Sequence, residues 1–94
     1  MKHSDLIPIY AHLLCNEELS DVTEDVAQHL FQRAVDAGLL QPDEGYEGPS
    51  LCSEPTMMRL LEVSAAAADV ELRRSADRLE ALLLQEFSTK LMRH

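Results

Sequence analysis

His12 and Cys15 stand three positions apart, a spacing that puts an imidazole and a thiol on one face of a helix. Together with His29 and Cys52 they are the residue types that bind zinc or that pair as nucleophile and base. The pattern supports neither chemistry. H-x-x-C is not a zinc knuckle, and His29 and Cys52 each lack a second ligand at knuckle spacing. The chain has no nucleophile elbow, no glycine-rich phosphate loop and no pair of acids in a recognisable catalytic frame. The reading is therefore non-enzymatic, with no metal and no cofactor expected, and with Cys15 and Cys52 as free thiols rather than a disulfide in a cytoplasmic chain.

The other chemically conspicuous group is acidic: Glu17, Glu18, Asp21, Glu24 and Asp25 within nine positions. Calcium binding by an EF-hand loop needs alternating oxygen ligands with Gly at the sixth position and Glu at the twelfth. Neither NEELSDVTED nor PDEGYEG supplies that order. The five carboxylates read instead as a solvated cluster at the head of a helix and as an acidic, partner-facing surface. The charge distribution agrees. Residues 1–54 hold eleven acids against Lys2 and Arg33, so the whole net charge of −9 lies there, while residues 55–94 are balanced. Such a surface repels phosphates and attracts basic protein surfaces. A helix-turn-helix reading of residues 5–40 fails for the same reason, because VTEDVAQHLFQRAVDAG carries one Arg and three acids where a recognition helix needs donors.

The elements that must carry these residues are helical. Apolar residues make up 46% of the chain and aromatics only 4%, so the core is aliphatic and built from strong helix formers. A first helix is expected over about 4–15, with Leu6, Ile9, Tyr10, Leu13 and Leu14 as its buried stripe. A second starts near Ser20 or Asp21 with a capping-box pattern and ends at Ala37, before Gly38. Its apolar face is Val26, Ala27, Leu30, Phe31 and Ala34. Residues 41–54 contain Pro42, Gly45, Gly48 and Pro49 and read as a loop.

From Thr56 to His94 there is no Gly and no Pro. That predicts one unbroken helix over 55–94, up to about 55–60 Å long at 1.5 Å per residue. Leu61, Ala65, Ala68, Leu72, Ala76, Leu79, Leu83, Phe87 and Leu91 recur every three or four positions along it, a spacing that keeps a stripe on one side of a nearly straight helix. Within the stripe, SAAAAD at 64–69 offers almost no side-chain volume, which predicts a point of close helix–helix approach at Ala65–Ala68.

The fold expected from sequence is thus all-α and a single domain over 1–94, with two short N-terminal helices (a hairpin over 1–40) packed on one long C-terminal helix. The stripe from Leu61 to Phe87 would face a second copy in a helical homodimer. The expected function is an acidic protein-binding module, an inhibitor or anti-activator that docks on a basic surface of another protein such as a nucleic-acid-binding regulator. The alternative is a structural subunit or chaperone-like assembly factor that uses the long helix to oligomerise. Direct nucleic-acid binding is not expected. No run of 18 apolar residues occurs and the first ten residues lack a signal peptide's apolar core, so neither a membrane span nor export is expected and the expected location is cytoplasmic.

Overall fold

Ser20 is extended (φ −64°, ψ 156°) and the next residue begins a helix, because the Ser20 hydroxyl accepts a hydrogen bond from the Thr23 amide at 3.3 Å. That is an N-cap, and it satisfies one of the donors a helix start leaves open. The computed structural model describes residues 6, 9, 10, 13, 19–41 and 54–92. Among them are three helices, here α1 (Asp21–Asp36), α2 (Glu54–Ala65) and α3 (Val70–Met92). Leu6, Ile9, Tyr10 and Leu13 also have helical backbone. The rest of the expected first helix, and the loop positions 42–53, lie outside the described residues.

The α1 helix carries Asp21 and Glu24 in its first turn and Arg33 in its last, each at the end where the helix dipole favours its charge. It stops at Gly38, whose φ of 77° suits glycine because no Cβ opposes it. The Gly38 amide donates to the Val35 carbonyl and the Leu39 amide to the Ala34 carbonyl, both at 2.9 Å, which is the Schellman pattern. Ala27, Leu30, Phe31 and Ala34 are buried as the spacing predicts, with Thr23 beside them, and Val26 is half-buried.

The single long helix expected over 55–94 is not present. The chain leaves the helix after Ala65 and re-enters it at Val70, so the alanine block is a turn between two helices. The Ala66 amide still bonds the Glu62 carbonyl at 3.1 Å, whereas the Ala67 amide reaches only three residues back, to Ser64 at 3.3 Å. Asp69 then caps α3: its Oδ1 accepts from the amides of Glu71 at 2.9 Å and Leu72 at 3.4 Å.

Packing decides the break. Folding back buries Met57, Leu60 and Leu61 of α2, worth about 1.5–3 kcal/mol for each large apolar side chain. Each helical backbone bond given up at the turn is worth about 1 kcal/mol net, and Asp69 replaces part of that loss. Tertiary burial therefore outweighs local helix propensity.

The α3 helix packs against both α1 and α2, which also touch each other. It runs antiparallel to α1, since Ser20 meets Glu86 at one end and Arg33 meets Glu71 at the other, at 2.9 Å. Leu30, Met57, Leu60, Leu72, Leu79 and Leu83 form the fully buried centre. Tyr10 and Phe87 close one end with ring centroids 4.6 Å apart. The radius of gyration is 12.5 Å, what a closed chain of this length has (about 12 Å), so the described helices pack on one another rather than one extending far beyond the others.

This overturns the placement expected for the apolar stripe. Leu61, Leu72, Ala76, Leu79 and Leu83 lie in the core of their own chain, and Phe87 is half-buried against it. Ala65 and Ala68 are exposed at the turn, and of the four alanines only Ala67 packs partly against the core. The small side chains mark a reversal of direction, not a close helix crossing.

Candidate functional site

The α1 and α3 helices meet along a furrow with two widenings. One, of about 610 Å³, is floored by Leu19 and Leu82 and rimmed by Ser20, Gln85, Glu86, Thr89 and Lys90. The other, of about 380 Å³, lies between Val26, Asp25 and His29 of α1 and Ser75 and Arg78 of α3. Val22 borders both and stands 54% exposed, an apolar knob in the middle of the furrow. Along α3 the lining residues Ser75, Arg78, Leu82, Gln85 and Thr89 follow helical spacing, so they share one face.

Asp21 and Asp25, on either side of Val22, are exposed, and Glu24 is half-buried. These are the members of the expected acidic surface that the structure describes, and they do cluster at the head of α1. Glu17 and Glu18 lie outside the described residues. So do His12, Cys15 and Cys52. Among the described residues no three His, Cys, Asp or Glu side chains come together in a way that could hold a metal ion, and of the four residues considered for zinc the structure describes His29.

Asp25, His29 and Ser75 border the same hollow, which sequence reading did not bring together because Ser75 lies on a different helix. They are the residue types of a hydrolytic relay, but the geometry does not make one. No hydrogen bond links any two of them among the described residues. Ser75 sits inside the second turn of α3, where the backbone amides are already used by the helix, so no oxyanion site adjoins it.

The best-organised polar cluster is structural. Glu86 Oε1 accepts from the Ser20 amide at 3.0 Å and from the hydroxyls of Ser20 and Thr23. Burial pushes the Glu86 carboxyl up, but these hydrogen bonds and the nearby Lys90 charge outweigh it and hold it below its ordinary value. A charged carboxylate thus caps the start of α1 from another helix. Lys90, one turn on from Glu86 along α3, adds its charge to this stabilisation.

No family model, curated protein or solved structure matches this chain.

Proposed function

We propose that this protein is a non-enzymatic, acidic protein-binding module that acts as an inhibitor or anti-activator by docking on a basic surface of another protein, such as a nucleic-acid-binding regulator. One observation carries the reading: Val22 stands 54% exposed where the two hollows of the furrow meet, with the exposed Asp21 and Asp25 beside it on the same turn of α1. A segment that presents an apolar side chain among lysines or arginines complements that arrangement. The net charge of −9 speeds encounter with such a partner, and the apolar contact holds it.

The test is capture of a binding protein from the native cell on the immobilised chain, followed by measurement of its affinity for the unaltered chain and two variants. Asp21→Lys with Asp25→Lys, and separately Val22→Glu, should each weaken binding at least about tenfold while the circular dichroism stays helical. Raising salt from about 0.1 to about 0.5 M should weaken binding to the unaltered chain. A partner that ignores both the substitutions and the salt sinks the proposal.

A second reading, a subunit that pairs with its own copy, is favoured by a different observation. The apolar repeat Leu61, Ala65, Ala68, Leu72 keeps helical phase straight through the turn between α2 and α3. A turn that only ever reversed the chain would place no such requirement on Ala65 and Ala68, which are exposed in it.

A further inference from the structure

We infer that the turn over 66–69 is a hinge through which two copies of this chain exchange α3, each straightening α2 and α3 into one continuous helix. The inference rests on the self-pairing reading and specifies how the pairing is made. Leu72, Ala76, Leu79 and Leu83 of the α3 stripe are buried inside the closed chain and Phe87 is half-buried against them, with only Leu91 exposed at the end, so the body of the stripe can meet a second copy only if it leaves its own α1 and α2.

Three features favour opening at this place. First, the hinge is built from Ala66, Ala67 and Ala68, the residue with the highest helix propensity. Straightening would give the amides of residues 67–72 ordinary partners four positions back. Against that stand the Ala67–Ser64 bond and the Asp69 cap of the turn. Second, the contacts that lock α3 in place all join it to residues before the hinge: Arg33 with Glu71, Ser20 and Thr23 with Glu86, and Tyr10 with Phe87. Each can re-form between copies with the same geometry, so exchange sacrifices none of them. Third, in the straight helix Ala65 and Ala68 join the face that carries Leu61 and Leu72. That places the smallest side chains where the two long helices pass each other nearest the exchange point.

Exchange of this kind swaps identical elements, so the contacts of α3 with α1 and α2 re-form between copies, and the one new contact is the crossing at Ala65 and Ala68. What selects the closed form at low concentration is the Asp69 cap and the entropy of remaining a single chain. What selects the open form at high concentration is the helix propensity of the hinge. The kinetics follow: interconversion requires α3 to leave its core, so monomer and dimer should each persist in the cold and equilibrate only near the unfolding temperature.

The experiment uses the full chain, unfolded by heat and refolded at low and at millimolar concentration, then separated by size-exclusion chromatography with light scattering. The unaltered chain should give a dimer at high concentration that survives dilution in the cold and reverts to monomer on warming. Asp69→Ala removes the cap and should raise the dimer fraction about fivefold or more, whereas Asp69→Asn, which keeps a capping acceptor, should not. Ala66→Gly with Ala67→Gly lowers helix propensity at the hinge and should reduce the dimer about tenfold or more while leaving a folded monomer. A dimer indifferent to all three hinge variants, or one that dissociates at once on dilution, would mean pairing through an outer surface and overturns the exchange alone. Monomer only, for the unaltered chain and for Asp69→Ala at millimolar concentration, overturns both the exchange and self-pairing.

Discussion

Ser20 and Glu86, separated by 66 positions, are joined through both the amide and the hydroxyl of the serine. The serine caps α1, and the glutamate, on α3, in turn holds the serine and the buried Thr23. The start of one helix is thus fastened to the last third of another at a place where the helix dipole favours negative charge. Replacing Glu86 with Ala should lower stability by about 1–2 kcal/mol, with Gln, which keeps an acceptor, intermediate. Because the folded state holds this carboxyl below its ordinary value, its contribution is complete above the unfolded carboxyl's titration, about pH 4–5. It is lost as the pH falls through the lower folded value. Urea unfolding from about pH 6 to about pH 3 should therefore show the gap between the unaltered chain and Glu86→Gln closing. A gap that stays constant would mean the charge on Glu86 contributes nothing.

Gly38 invites a cleaner test of backbone strain. Its φ is 77°, and a Cβ built there meets nothing within 4 Å. Gly38→Ala therefore introduces no clash, only the left-handed conformation that L-residues resist, at about 1–2 kcal/mol. The denaturant midpoint should fall while the slope stays unchanged. Gly38→Asn should cost less, since asparagine tolerates that region.

The exposed alanines at the turn and the buried one in α3 should respond to enlargement to very different extents. Ala65 and Ala68 face solvent, so Leu at either position should alter monomer stability by less than about 0.5 kcal/mol. Ala76 is 3% exposed within the core, and Leu there should cost about 1–3 kcal/mol through overpacking. Chemical unfolding at low micromolar concentration compares all three. Equal penalties would contradict the placement of the turn.

The all-helical character and the ends of α1 were legible in the sequence because each has a local chemical cause. Ser20 caps, Gly38 stops, and Ala27, Leu30, Phe31 and Ala34 fall on one face. The reversal at 66–69 was not, since alanine is at home in a helix and no Gly or Pro interrupts it. The one local sign was Asp69, an N-cap residue type placed just before an apolar repeat, but the apolar spacing runs unbroken past it. Of the stripe, Leu61, Leu72, Ala76, Leu79 and Leu83 are buried, Phe87 is half-buried, and Ala65, Ala68 and Leu91 are exposed; spacing alone does not say whether a face is covered by its own chain or by another. The furrow was hidden for a different reason. It needs α1 and α3 antiparallel, which follows from Arg33–Glu71 and Ser20–Glu86, contacts no sequence interval announces.

Ser64 supplies the last prediction, because it sits on the last turn of α2 with its side chain fully buried and its hydroxyl without a hydrogen-bond partner among the described residues. An unpaired buried hydroxyl carries its desolvation cost uncompensated, about 1–3 kcal/mol. Alanine at this position removes that group and also favours helix slightly, while giving up only the contacts of one oxygen atom. Ser64→Ala should therefore stabilise the chain by about 0.5–1 kcal/mol, against the usual rule that buried substitutions destabilise. Ser64→Val tests the size of the space, since a second methyl fits only if the turn after Ala65 yields. Thermal and urea unfolding of both variants read the sign directly. If Ser64→Ala loses stability instead, the hydroxyl is bonded in solution, and the end of α2 is held by a hydrogen bond rather than by packing alone.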